Sequence, residues 1–210
     1  MAAVTAHPDY VARFAENLVQ PDLRIPLTAD GALFDEAVAV GRQVVWLHTF
    51  GERFSEGHPA GPPRVAADGP TIPRDGAIPS HPGAMPETIA YSPEARRLHV
   101  GSGHIDNVSP AVWDYEVSGK LVLRQWFSYR GKDRSRPLIG DRRPPSPLGE
   151  IQPEGWLAEY TAELLNVLHV LTRLVALEPR QANLLRRIVE GPLLDAETLR
   201  VAGALPAEAP

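Results

Sequence analysis

Between Arg124 and Arg143 the chain carries Arg124, Arg130, Lys132, Arg134, Arg136, Arg142 and Arg143 against only Asp133 and Asp141, a local charge of +5 in a protein whose formal total is -5. Like charge packed into so short a window repels itself unless neighbouring acids or a polyanionic partner neutralise it. Guanidinium forks donate pairs of hydrogen bonds to phosphate oxygens, and one or two could reach guanine edges in a major groove. Under that reading Arg130, Lys132, Arg134 and Arg136 are the foremost candidates for phosphate or base contact, Arg142 and Arg143 flank them, and Lys120 and Arg124 stand at the edge. A second reading stays open. Charge runs are commonly solvated faces, and Glu150, Glu154, Glu159 and Glu163 are placed in the sequence to pair with these arginines inside the fold.

The rest of the chain offers little other chemistry. There is no cysteine, which excludes disulfides, thiolate metal sites and cysteine nucleophiles together. No Walker loop, HExxH or GxSxG occurs, and Gly101-Ser102-Gly103 lacks the third glycine and the following helix of a dinucleotide fingerprint, so it reads as a turn. His99 and His104 are conceivable metal ligands without other clustered donors, and Asp106, Asp114 and Glu116 fall in strand or turn contexts that suit solvated or capping roles. These residues imply no metal, no cofactor and no catalytic constellation.

A chain of 210 residues suits one domain, or one and a half, and a fold of that size buries roughly 70% of its unfolded surface. Twenty-two prolines, about twice the usual share, imply long irregular connections. No uninterrupted apolar run is expected to reach the roughly 18 residues that span a bilayer, and MAAVTAHPDYVARF lacks a signal-peptide pattern. The expectation is a cytoplasmic protein with no membrane association.

The elements that must position the basic window follow from periodicity and capping. His7 to Val19 predicts one amphipathic helix with Pro8 in its first turn. Thr28 or Asp30 can cap a core helix over LFDEAVAVGRQVVWLHTFGERF, with Phe34, Ala37, Val38, Gly41 and Val45 at helical spacing. Gly41 inside it costs about 1 kcal/mol relative to alanine, which a close crossing by another element would explain. Ser55 to Pro86, rich in glycine and proline, reads as a surface loop or partly disordered insertion. Thr88–Tyr91, Arg97–Val100 and His104–Val108 form a small antiparallel meander. A helix can start at Ser118-Gly119, with Val122, Leu123, Trp126 and Phe127 on one face, Arg130 on the apolar side and Gly131 as its C-terminal cap. Trp126 and Phe127 read as anchors of that helix. A long apolar helix follows over Glu154 to Leu177, interrupted by Pro179 and succeeded by a last helix toward Gly191. The sum is α+β, mainly helical with a small antiparallel β-meander in the middle: one domain over 7–191, then a C-terminal helix remnant and frayed tail over 192–210.

The block VWDYEVSGKLVLRQWFSYR, followed by RPL and a helix opening near EYTAELLNVL, resembles the C-terminal target-recognition region of type ISP restriction-modification enzymes with their adenine-specific DNA methyltransferases. HPDYVARFAENL, RIPLTAD and LFDEAVAVGRQVVWLH are similar to the upstream part of that specificity domain, so the resemblance runs from about His7 to Gly191. In that family one polypeptide joins a nuclease, a helicase-like ATPase, an N6-adenine methyltransferase and this final region. The resemblance implies sequence-specific recognition of double-stranded DNA, alongside an adenine-specific methyltransferase or restriction subunit as partner. It does not carry methyl transfer, ATP hydrolysis or cleavage onto this chain. The family's glycine-rich S-adenosylmethionine loop and (N/D)PP(Y/F) motif are absent, and Arg143-Pro144-Pro145-Ser146 has neither the leading amide or acid nor the trailing aromatic. A reading from another class is a protein-interaction subunit whose helices dock on a partner and whose arginines are neutralised internally.

Overall fold

A computed structural model describes residues 1–19, 25–58, 61–64, 68–131, 153 and 155–204. The chain divides into two compact units, one built from residues 1–61 and 176–210 and the other from 62–175. The α+β class is borne out.

In the first unit the N-terminal residues form α1 (Ala2–Thr5), which sequence periodicity does not reveal, then α2 (Pro8–Arg13) and α3 (Ala15–Leu18). The single helix expected over His7 to Val19 is thus two, broken where Phe14 leaves helical dihedrals (φ -108°, ψ 20°). The His7 ring accepts from the Asp9 amide and Pro8 fills the first helical position, so the start is as the sequence suggests. Helix α4 (Gly31–His48) opens on Asp30, whose carboxylate accepts from the amides of Ala32 and Leu33, while Thr28 accepts from the Asp30 amide. Its buried face is Leu33, Val40, Val44 and Leu47, a register that leaves Phe34 and Val38 exposed where periodicity had placed them inward. Gly41 is explained: a Cβ there would lie 3.4 Å from the Ala3 amide nitrogen, so α1 crosses α4 at van der Waals distance. Leu177, Gln181, Leu184, Leu185 and Ile188 are buried at helical spacing, and Gln181 donates to the Ala3 carbonyl at 3.1 Å. A backbone bridge joins Thr28 to Leu193 ahead of α8 (Ala196–Val201), which is capped by Asp195.

The second unit is organised on an antiparallel meander, β1 (Ile89–Ser92), β2 (Arg97–Val100) and β3 (Gly103–Ile105), in the order and sense the sequence predicts. Leu98 and Val100 point to the core and Arg97 and His99 to the other face, the period-two alternation of a half-buried sheet. Residues 68–86 of the proline-rich stretch before it are seated on the meander rather than loose. Thr71 and Asp106 exchange backbone hydrogen bonds, His104 donates its amide to the Gly76 carbonyl, and Gly69, Pro70, Gly76, Met85 and Pro86 are buried. Glycine makes this possible, since a Cβ on Gly103 would sit 2.7 Å from the Ile78 Cα.

Helix α5 (Pro110–Trp113), capped by Ser109, leads to a hairpin of β4 (Glu116–Val117) and β5 (Lys120–Leu121). Ser118 and Gly119, expected to open a helix, are instead its turn, both at positive φ (51° and 79°) as a two-residue hairpin of this kind requires. Helix α6 (Val122–Ser128) follows directly. Beyond it, α7 (Ala158–Glu190) is one helix rather than two. Pro179 lies within it, exposed, where its ring is tolerated at the cost of one backbone donor. By length and composition this helix is long and apolar enough to cross a membrane, contrary to the expectation that no run is; Leu164, Leu168, Leu171 and Leu174 are instead buried as core.

Candidate nucleic-acid interface

The basic window begins on α6, directly after the hairpin that carries Lys120, where a heptapeptide helix presents side chains on a packed aromatic floor. Leu123 and Phe127 are buried and fix the helix, which leaves Arg124 on its solvent side. The Arg124 guanidinium lies 4.9 Å over the Trp113 ring, and Trp113 stacks on Tyr91 at 5.5 Å and 17°. The Tyr91 hydroxyl donates to the Val108 carbonyl at 2.7 Å, and burial holds its phenol above the usual range. A cation resting on this stack keeps its outer N–H groups toward water while its stem loses little further freedom on binding an anion. Lys120 is exposed on β5, immediately after the turn.

Arg130 is placed differently. Its Nε and Nη2 both donate to Glu163 Oε2, at 3.1 and 2.8 Å, and Nη1 donates to the Trp126 carbonyl at 3.3 Å. The guanidinium stacks 4.2 Å over Trp126 and 5.6 Å from the Tyr160 ring centre. Of the pairings that sequence leaves open for this residue, the structure therefore realises the internal one with Glu163. Lys132, Arg134, Arg136, Arg142 and Arg143 lie outside the described residues, as do Glu150 and Glu154.

Under the helix, Trp126 meets Trp156 edge-on and Phe127 stacks on it, each at 6.1 Å, with Tyr160 completing the cluster at 5.4 Å. Trp156, fully buried, donates its indole N–H to Thr161 at 2.8 Å. Trp126 and Phe127 are anchors. Gly131 belongs to the same packing: it is not a left-handed cap, and a Cβ would lie 2.9 Å from the Phe127 ring. Sequence reasoning missed Trp156 as the centre of the cluster, because only a fold brings it back to Trp126, and missed Tyr129, 60% exposed beside Arg130.

The meander supplies a rigid neighbour. Arg97 and Asp106 make a two-pronged pair, Nε to Oδ1 at 2.6 Å and Nη2 to Oδ2 at 3.1 Å, and the Arg97 hydrogen bond holds the Asp106 carboxyl below the usual carboxylate range. Asp106 is therefore a structural partner and not a solvated carboxylate. His99 and His104 are cross-strand neighbours, with the Ser92 hydroxyl 2.9 Å from His99 Nε2, and no cluster of three potential metal-ligating side chains exists among the described residues.

Arg124, exposed and stacked on Trp113, and Lys120, exposed on β5, thus stand outward on a hairpin and short helix within an α+β chain, while Arg130 is turned to Glu163. The chain belongs to the type ISP C-terminal specificity domains, whose family model matches residues 1–165 of 210. That family serves target recognition on DNA in restriction-modification. The match opens at Met1 rather than His7 and closes at Leu165, inside α7, short of Gly191. Neither a curated protein nor a solved structure matches the chain.

Proposed function

We propose that this chain reads a specific sequence in double-stranded DNA, itself performing no catalysis, alongside an adenine-specific methyltransferase or restriction subunit in the cytoplasm. The observation that carries the proposal is the outward cationic edge of the hairpin and α6, which lies within the residues that the family model matches. Lys120 and Arg124 contact phosphates from this edge, and Lys132, Arg134, Arg136, Arg142 and Arg143 extend the contact along the duplex, one or two of them to base edges. Arg130 braces α6 against α7 through Glu163, and would meet a phosphate only by exchanging that carboxylate for it. The test is selection of duplexes from a randomised pool by the full chain. Enrichment of one sequence is the expected result; failure to shift any duplex at low salt would contradict it.

The Arg130–Glu163 pair favours one competing reading, a partner-docking subunit with internally neutralised arginines. Its signature is a complex with a restriction-modification subunit that survives nuclease treatment while the isolated chain leaves duplex DNA unbound at every salt concentration.

A further inference from the structure

The first unit contains a cavity of about 560 Å³ whose wall includes Arg42, Gln43, Phe54, Glu56, His58 and Arg180. Its chemistry is unusual for a surface hollow. Phe54 is 48% exposed and sits at φ 54°, a left-handed backbone that a residue of its bulk rarely adopts, so the fold holds an apolar ring in water on a strained backbone. The turn that presents it is fixed by Gly51 (φ 88°), where a Cβ would lie 2.7 Å from the Gly61 carbonyl oxygen. Arg42 stands 5.5 Å over the Phe54 ring and has no acidic partner among the described residues. Arg180, half exposed, lies 3.7 Å from Glu36 Oε1, while the other oxygen of that carboxylate accepts from Arg187 at 2.7 Å, so its tie is the looser one. His58 is stacked flat on the buried Trp46, at 4.0 Å and 16°, which fixes the imidazole as a planar wall.

We propose that this cavity binds a nucleotide unit bearing an amino-substituted base. Arg42 and Arg180 take the phosphate, the heterocycle stacks on Phe54, and Glu56 and Gln43 meet its edge, the carboxylate accepting from the exocyclic amine. Two guanidinium groups suit a phosphate, an exposed ring suits a base, and a carboxylate at the edge favours adenine, guanine or cytosine over thymine. The volume lies within the range of small-molecule sites. The nucleotide is either free or an extrahelical residue of DNA, and the site does not depend on the duplex reading of Lys120 and Arg124, which belong to the other unit.

The full chain is titrated calorimetrically with adenosine 5′-monophosphate, thymidine 5′-monophosphate and inorganic phosphate. In a parallel arm, duplexes with and without one unpaired adenine are compared by fluorescence anisotropy. Adenosine monophosphate is expected to saturate roughly tenfold more tightly than phosphate, with thymidine monophosphate weaker and with about a tenfold loss in Phe54→Ala or Arg42→Ala. Phe54→Tyr, which keeps a ring, retains binding, and circular dichroism of the exposed-site variants verifies the fold. Preference for the unpaired adenine identifies the DNA source, and its absence alongside mononucleotide binding identifies a free nucleotide. No saturation by adenosine monophosphate together with no preference for the unpaired adenine, equal affinity for phosphate, or an unchanged Phe54→Ala would each overturn the proposal.

Discussion

Arg130 decides between a structural and a DNA-facing use of the first cations in the basic window, and its surroundings give a magnitude. Replacing it with alanine removes two hydrogen bonds to Glu163, one to the Trp126 carbonyl, and the stack on Trp126. The ion pair is partly exposed, with 25% of the Arg130 side chain and 49% of Glu163 open to water, so it is worth only about 0.2–1 kcal/mol after screening. The cation over Trp126 adds about 0.5–1 kcal/mol. Arg130→Ala should therefore cost about 1–2 kcal/mol, a fall in Tm of roughly 2–8 °C for a chain of this length. Arg130→Lys should lose most of this, because an ammonium cannot donate as a planar fork or stack flat on the indole. A double-mutant cycle with Glu163→Ala, followed by urea denaturation, isolates the pair term at about 0.5 kcal/mol. In the same preparations, DNA binding by Arg130→Ala should keep the salt dependence of the parent. A thermally neutral Arg130→Ala whose salt slope falls by about one would refute the structural assignment.

Two further outcomes follow from the second unit. Gly103→Ala should destabilise by about 1–3 kcal/mol in urea denaturation, since the new methyl meets the Ile78 Cα and Ala77 carbonyl oxygen within 2.8 Å, and both are backbone; a neutral result would mean that Ala77 and Ile78 are not seated on β3. The Asp106 carboxyl is held below its usual range first by the Arg97 hydrogen bond, so its contribution is complete above the ordinary aspartate range and is lost as pH falls through the lowered folded value. Asp106→Asn should flatten that acid limb of the stability profile, and an unchanged limb would place the protonating group elsewhere.

What the sequence disclosed and what it hid divide along physical lines. Local chemistry was legible: Asp30 caps α4 because a carboxylate satisfies free amides at a helix start, and the meander follows from alternating runs between turn residues. Gly41 pointed to a close crossing without naming Ala3 as the neighbour. Long-range packing was not legible. Period alone could not tell which stripe of α4 would be covered, since Phe34, Val38 and Val45 recur as regularly as Val40, Val44 and Leu47. The proline-rich segment looked unstructured because its order comes from backbone bonds to β3 and Asp106, and those depend on no side-chain pattern of its own. Pro179 looked like a terminator, yet the buried residues on both sides of it continue one helical face. At the candidate site, the cations are legible in the sequence but the aromatic floor is not, because Trp156 meets Trp126 only in the fold.

The decisive measurement is the salt dependence of duplex binding by the full chain, with and without Lys120→Ala and Arg124→Ala. If both side chains lie on phosphates, the log-log slope of the parent is steep and the double variant is shallower by roughly 1.8, about 0.9 for each contact, with its fold intact by circular dichroism. A parent that binds duplex DNA with a flat salt profile, or a double variant with an unaltered slope, would contradict a DNA-reading role for this edge.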